Sequence, residues 1–332
     1  MFPYLQFNMI FQILVPQYKE TNETIKPLLD SISIQQNVPM NEIGVVIVND
    51  GSDVHLTEDF LKSYPFEVEY HLNEKSGVSA TRNKCLDYAT ADYVMFCDAD
   101  DMFYSVCGLF IVFNEIKIGF DILISTFIEE TRNPKTKEPL YVNHEMDSVF
   151  VHGKVFNRKF LLEKKIRFNP KLTIHEDSYF NCLAQKCSEN GKYCPTPFYL
   201  WKWRDESVCR HDPKYILKTY INMLDSNTEL ILELMRRSKL KEAQSYVAGM
   251  IYDAYFTMNK DEWVNQENKE YRFNTEKRFK EYYLRFKDLF LSMTVEEKAS
   301  IIVPIRNRFY QEGLLMESVT FDDWIAHVEN DF

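Results

Sequence analysis

The sequence predicts an α/β protein with a Rossmann-like, mostly parallel central sheet flanked by helices, followed by an all-helical domain. Apolar runs rich in β-branched and aromatic residues at 11–15, 44–48 and 93–96 alternate with helical patterns, which is typical of βαβ units. From Pro213 onward the apolar residues recur almost wholly at helical spacing. We therefore place a domain boundary near residue 212, giving domains 1–212 and 213–332.

The elements of the first domain follow from their periodicity. Strands are predicted at 11–15, 44–48, 66–72, 93–96 and 121–125. Helices are predicted at about 22–36, with Asn22 as its cap, and at 77–89 and 106–116. Right-handed connections between parallel strands place such helices on both faces of the sheet.

The remaining elements are shorter and mixed. Residues 129–148 are polar and contain proline, which predicts a loop or an edge hairpin. A helix near 156–164, an acidic helix start at Glu176 and a strand near 198–203 follow. In the second domain, apolar stripes at 216–234, 246–258 and 279–291 predict amphipathic helices.

Composition narrows the class of protein. The 332 residues are 45% hydrophobic and 15% aromatic, as expected for a globular chain with a large core. The net charge of −11 argues against broad attraction to nucleic-acid backbones. Seven cysteines without a C-x-x-C pair argue against a zinc knuckle and favour free thiols in a reducing compartment. Residues 1–16 lack a basic leader region and are too short to span a bilayer, so no transmembrane segment is expected.

The buried run at 93–96 leads directly into three acids, Asp98, Asp100 and Asp101. Open α/β sheets bind their ligands at the carboxyl ends of strands. Carboxylates this close repel one another unless a cation or a proton intervenes, so the pattern is consistent with a divalent metal and substrate phosphates. A solvated acidic loop is the alternative interpretation.

Six segments together carry a resemblance that none carries alone. They are 15–20 (VPQYKE), 48–52 (VNDGS), 77–83 (GVSATRN), 96–101 (FCDADD), 152–158 (HGKVFNR) and 175–180 (HEDSYF). In order and spacing, the first 210 residues resemble the family 2 glycosyltransferases of the GT-A fold. The sequence departs from the family pattern at Lys19, where asparagine is usual, at Thr81, where alanine is common, and at His152, where tryptophan is usual.

The resemblance implies a nucleotide-sugar site at the strand ends. Asp50 would accept a hydrogen bond from the base, favouring uracil, because an ionised carboxylate is acceptor-only. Asp98 would lie near the ribose and the metal, and Asp100 would be the main ligand of Mg²⁺ or Mn²⁺. Arg82 would either contact the diphosphate or brace the acidic turns. The remaining donor-binding residues implied are Pro16, Tyr18, Glu20 and Ala99.

The resemblance also implies an acid on the acceptor side. An inverting displacement needs a base for the acceptor hydroxyl, and Asp177 matches the family's base, with Glu176 as its neighbour. The alternative is that both acids only complement the helix dipole. Lys202, Arg204 and Ser207 either contact the diphosphate or acceptor or form an ordinary exposed face.

The predicted function is therefore an inverting, metal-dependent transfer of a sugar from a UDP donor to a hydroxyl of a cell-surface glycan or polymer. Modified nucleic acid or protein as acceptor, and a catalytically silent nucleotide-sugar-binding protein, are the alternatives. A sugar nucleotidyltransferase is disfavoured because the loop 16–21 has no glycine to hold a triphosphate. The expected location is cytoplasmic or peripheral at the inner face of the membrane. The C-terminal helices would serve acceptor binding, homo-oligomerisation or docking.

Overall fold

A computed structural model describes residues 9–205, 215–314 and 319–330. The chain forms two compact units, Met1–Ser207 and Val208–Phe332. The domain boundary predicted near residue 212 lies outside the described residues. Each unit is described by itself below.

The first unit is built on one sheet, and the four strands on one side of it are parallel. Strands β1 (Phe11–Gln17), β2 (Ile43–Asp50), β3 (Glu67–Asn73) and β4 (Tyr93–Phe96) lie in the order β3-β2-β1-β4. Every residue of β2 is buried, and only Pro16 of β1 is partly exposed, as expected for strands covered on both faces. The carboxyl ends of these strands consequently meet at one edge of the sheet.

Beyond β4 the sheet becomes mixed. Strand β8 (Lys154–Asn157) runs antiparallel to both β4 and β6 (Ile122–Arg132), and β9 (Gly191–Trp201) runs parallel to β6. The short β5 (Met102–Phe103) pairs with β9, and β7 (Pro139–His144) forms an edge hairpin with β6. The predicted α/β fold is thus confirmed, with as many antiparallel as parallel pairings among the described strands.

Helices flank this sheet. They are α1 (Asn22–Ser33), α2 (Glu58–Lys62), α3 (Val78–Tyr88), α4 (Gly108–Ile118), α5 (Arg158–Glu163) and α6 (Glu176–Cys187). The side chain of Thr21, and not that of Asn22 as predicted, caps α1 by accepting from the Thr24 N–H. One further prediction was wrong in extent, because β9 begins seven residues before the strand expected at 198. Helix α2 was not predicted.

The second unit is helical. Its helices are α7 (Tyr215–Lys218), α8 (Tyr220–Arg236), α9 (Leu240–Met258), α10 (Asp261–Val264), α11 (Lys269–Leu291), α12 (Val295–Gln311) and α13 (Phe321–Asn330). Helix α9 contacts α8, α11 and α12, and its buried residues include Val247, Ile251 and Phe256. Among the described residues, no helix combines the length and apolar character that a bilayer crossing requires.

Candidate active site

A cleft of about 280 Å³ opens where β1, β2 and β4 end. It brings together all eight residues that the sequence predicts for donor binding, together with Arg204. Its lining residues are Pro16, Gln17, Tyr18, Glu20, Asp50, Val78, Thr81, Arg82, Asp98, Ala99, Asp100 and Arg204. Glu176, Asp177 and Lys202 do not line it, and the predicted Ser207 lies outside the described residues.

Asp50 ends β2 and is held by neutral donors. Its Oδ1 accepts from the Ser76 N–H (2.6 Å) and the Ser76 hydroxyl (3.1 Å), and its Oδ2 accepts from the Gly77 N–H (3.0 Å). Gly51 follows in the left-handed region, with φ 68°, and a Cβ there would lie 2.4 Å from the backbone N of Lys75. Only glycine permits this approach of the 75–77 loop, so the carboxylate of Asp50 is fixed in place.

Tyr18 and Glu20 form the rim at the end of β1. The Tyr18 hydroxyl accepts from Lys75 Nζ (2.6 Å), which also lies 3.9 Å from the ring centroid. Glu20 Oε2 accepts from the Tyr18 N–H (2.6 Å), and burial raises the pKa of Glu20. Lys19, between them, has φ 71°. This left-handed conformation favours asparagine among non-glycine residues, which gives a physical reason for the asparagine usual at this position of the motif.

Arg82 links two acids that are far apart in the chain. Its guanidinium donates to Asp98 Oδ1 (3.0 Å) and Glu176 Oε1 (2.8 Å), and its side chain is only 6% exposed. Burial would raise the pKa of Asp98, but Arg82, His152 and Arg204 together outweigh it, and the pKa of Asp98 is lowered. Of the two roles predicted for Arg82, the bracing of the acidic turns is observed, at a position that also lines the cleft.

Asp100 forms an ion pair with the Nε–H of Arg204. Arg204 follows β9 and also lies 3.9 Å from Glu20 Oε1. Its side chain is 44% exposed, whereas that of Asp100 is 12% exposed. A partly exposed arginine therefore covers the acid that the sequence predicts as the main metal ligand.

Asp101 was not predicted as a site residue and is the most buried acid of the turn. Its Oδ2 accepts from the Tyr199 hydroxyl (2.5 Å) and its Oδ1 from the Lys202 N–H (2.9 Å). Burial, together with Asp100 and Asp98, raises the pKa of Asp101 well above its usual range. Ligating atoms of Asp98, Asp101 and His152 lie within 4.8 Å of one another. His152 was noted only as a departure from the family motif, in which tryptophan is usual, and was not predicted as a site residue.

Asp177 lies in the first turn of α6, beside Glu176. Burial and the neighbouring Glu176 raise the pKa of Asp177 to about 7, and the Arg82 charge opposes this shift. The residue before them, His175, has φ 61°, a left-handed conformation that suits the glycine of the family's G-E-D pattern. An acid whose pKa lies near neutrality can take up and release a proton under physiological conditions.

The acids at the ends of parallel strands, and the acidic helix start that Arg82 joins to Asp98, are the arrangement expected of the GT-A fold. A family model described as "Glycosyl transferase family 2" matches residues 12–182, and the chain belongs to this family.

Curated relatives match the chain at low identity. The minor teichoic acid biosynthesis protein GgaB of Bacillus subtilis (strain 168) is 29% identical over 190 residues, 52% of this chain and 20% of GgaB. Glycosyltransferase GlyA of Streptococcus pneumoniae serotype 4 is 28% identical over 224 residues, 60% of this chain and 31% of GlyA. The putative glycosyltransferase EpsH of B. subtilis is 24% identical over 260 residues, 69% of this chain and 70% of EpsH. The match thus spans less than a third of GgaB and of GlyA.

Solved structures share the fold. Residues 1–349 of S. aureus TarS in complex with UDP superpose with a TM-score of 0.61 at 16% identity, covering 94% of each chain. The same protein in complex with UDP-GlcNAc gives a TM-score of 0.60 at 17% identity, covering 90% of this chain and 92% of TarS. At this level of identity the likeness concerns the fold alone.

Proposed function

We propose that this glycosyltransferase is metal-dependent and inverting, and that it transfers a sugar from a UDP donor to an acceptor hydroxyl. The observation that carries the proposal is the shared cleft, in which Asp50, Asp98 and Asp100 lie together. Arg82 connects this cleft to Glu176, the neighbour of Asp177.

Asp50 is proposed to bind the base of the donor. An ionised carboxylate offers about four lone-pair sites, and the loop 76–77 supplies three donor groups. The remaining acceptor capacity suits the imide N–H of uracil. Pro16 and Tyr18 line the same cleft and would contact the base and ribose. The UDP complex of TarS, which shares the fold, is consistent with this assignment.

Asp98 and Asp100 are proposed to hold Mn²⁺ or Mg²⁺. The clustered carboxylate oxygens of the 98–101 turn suit these hard cations. Asp98 also belongs to a group with Asp101 and His152 in which one potential ligand atom of each residue lies within 4.8 Å of the others. When bound, the ion would act as a Lewis acid that neutralises the leaving diphosphate. Arg204, which is paired with Asp100, would then be available to contact the diphosphate.

Asp177 is proposed to be the general base. Glycosyl transfer passes through an oxocarbenium-like centre, and the incoming hydroxyl must lose its proton as the bond to the sugar forms. Asp177 would accept that proton, because the raised pKa matches the task. Glu176, fixed by Arg82, would orient the base or the acceptor.

The proposed acceptor is a hydroxyl of a cell-surface polymer. Two relatives are described as a teichoic acid biosynthesis protein and, for Staphylococcus epidermidis, a teichoic acid poly(glycerol phosphate) polymerase. The second of these matches only 26% of this chain, at 34% identity. The names support a polyol-containing or glycan acceptor as the class to test first.

The deciding experiment is a panel of nucleotide sugars in which release of the nucleoside diphosphate is measured with Mn²⁺, with Mg²⁺ and with EDTA. We expect release from one or more UDP-sugars that depends on the metal. Calorimetry with UDP, with and without Mn²⁺, measures donor binding separately. Asp53→Ala, which removes an exposed acid close to the Asp50 turn, is the matched control. UDP binding that ignores both metal and EDTA, with no turnover of any donor, would instead indicate a catalytically silent binding protein.

A further inference from the structure

The proposed function assigns no role to Lys154, a charged residue of the 152–158 segment. Lys154 begins β8, the strand between β4 and β6, and its side chain is 0% exposed. Lysine is almost never fully buried unless it is paired. A buried charge of this kind contributes little net stability, since an apolar side chain of similar volume often serves the fold equally well.

The backbone before Lys154 explains how it reaches the interior. Gly153 has φ 65°, and a Cβ there would lie 2.6 Å from Ser125 Oγ on β6. The Ser125 N–H and hydroxyl both donate to the Gly153 carbonyl at 2.9 Å. The absence of a side chain at Gly153 therefore allows this segment to pack closely against β6, and Lys154 begins β8 directly after it.

The Lys154 ammonium closes a tight turn. Nζ donates to the Phe150 carbonyl and lies 3.4 Å from Asp147 Oδ1. The same Asp147 oxygen accepts from the Val149 N–H (2.9 Å) and the Phe150 N–H (2.8 Å). One carboxylate oxygen and one ammonium thus hold the turn, which we call the 147–150 turn.

This turn is fastened to the helix that carries Asp177. The amide of Asn181, which is 0% exposed, donates to the Val149 carbonyl (2.6 Å). The amide of Gln185 donates to the Ser148 carbonyl (3.2 Å). Both donors belong to α6, whose first turn holds Asp177. The Lys154 charge also acts electrostatically on Asp177 itself.

We infer that Lys154 is a positioning residue for the transfer step, which acts through the 147–150 turn and α6 to hold Asp177 in place. The inference rests on the proposed function of Asp177. It predicts a defect in turnover that leaves the nucleotide site intact, because Lys154 does not line the cleft around Asp50 and Asp100. A displacement of a catalytic group by about 1 Å can cost a hundredfold in rate.

The test compares Lys154→Met with Asp147→Asn, using the UDP-sugar that the wild-type protein turns over in the panel. Methionine keeps the volume and removes the charge. Asparagine at 147 keeps an oxygen for the two N–H donors and removes the counter-charge. We expect kcat to fall about tenfold to a hundredfold in each variant, with KM for the donor and Kd for UDP in the presence of Mn²⁺ within twofold of wild type. Lys159→Met, which removes an exposed lysine of α5, should leave all three values unchanged.

The outcomes are distinguishable. If kcat stays within twofold in folded Lys154→Met and in Asp147→Asn, or if UDP affinity falls in parallel with kcat, the positioning role is wrong. If Lys154→Met does not fold, Asp147→Asn decides by the same criteria. If the wild-type protein releases UDP from no donor, the proposed function itself has failed, and the inference fails with it.

Discussion

Two acidic turns follow buried parallel strands in this protein, and their carboxylates are held in different ways. The Asp50 turn after β2 is satisfied by backbone N–H groups and one hydroxyl. In the turn after β4, Asp98 and Asp100 are paired with Arg82 and Arg204. The carboxylate of Asp50 is thus held by neutral donors, whereas the two carboxylates of the second turn are held by arginines.

This difference fits the two roles proposed for the turns, binding of the base and binding of the metal. Neutral donors from the 76–77 loop leave acceptor capacity on Asp50 for the proposed hydrogen bond from a base N–H group. Carboxylates paired with arginines can instead exchange one cation for another, and a partly exposed Arg204 can move at lower cost than the buried Arg82. We therefore expect base recognition to be independent of metal and turnover to depend on it.

The largest effect is expected for Asp100→Ala. Loss of the proposed metal ligand removes several kcal/mol of charge stabilisation from the transition state, so turnover should fall by about four orders of magnitude. Release of UDP from the donor, measured across a Mn²⁺ titration, checks this. Metal-stimulated turnover by Asp100→Ala would contradict the assignment of Asp100 as a metal ligand. Asp53→Ala is the control.

Asp177→Asn should have the next largest effect. Removing a general base typically costs between about 10² and 10⁴ in rate, so we expect transfer to fall about a thousandfold. UDP affinity, measured by calorimetry, should stay within twofold, because Asp177 does not line the cleft. Near-full transfer by this variant would contradict the base assignment. Asp59→Asn, at an exposed acid of α2, is the control.

Asp50→Ala tests the other turn. Losing a hydrogen bond to a charged group costs about 1.5–3 kcal/mol, so the Kd for UDP should rise about tenfold to a hundredfold. The same rise should be seen with Mn²⁺ and with EDTA. A loss of affinity that appears only with Mn²⁺ would contradict the proposal that Asp50 binds the base independently of the metal.

The pH dependence gives a smaller effect. Burial and Glu176 raise the pKa of Asp177 to about 7, and the base acts only when it is ionised. The donor kcat/KM should therefore fall about tenfold between pH 6.5 and pH 5.5, on the acid side of that pKa. A profile that is flat across this range would exclude Asp177 as the base, and the residual activity of Asp177→Asn should lack this limb.

The smallest effect is expected for His175→Gly. His175 has φ 61°, a conformation that costs a non-glycine residue about 1–2 kcal/mol, partly offset by the greater entropy of an unfolded glycine. Thermal or denaturant unfolding should show a gain of up to about 1 kcal/mol. Lys164→Gly, at a position with φ −80°, should show no gain.

The sequence was sufficient to predict the strands of the first unit that bear acids. The runs at 44–48 and 93–96 are continuous and apolar, and Gln12 alone interrupts the run at 11–15, because both faces of those strands are buried. In the mixed part of the sheet, β8 could not be predicted, since it has only four residues. The pairing of so short a strand depends on partners distant in the chain.

The sequence predicted residues that line the cleft, but it did not predict the contacts between their side chains. The motifs identified the residues that line the cleft, because they recur in a known order. The bridge from Arg82 to Glu176 joins side chains 94 positions apart, and no local pattern encodes it. Asp101 was not predicted as a site residue for the same reason, because its partners Tyr199 and Lys202 are about 100 positions away in the chain.

Gly51 has a consequence for how the donor would arrive. Its backbone lies so close to Lys75 that no side chain fits between them. The N–H groups of Ser76 and Gly77 donate to Asp50. The proposed base-binding position is therefore held by contacts within the protein itself. Binding of a nucleotide there would cost little ordering entropy, and discrimination among nucleobases would occur at first contact and would need no later closure.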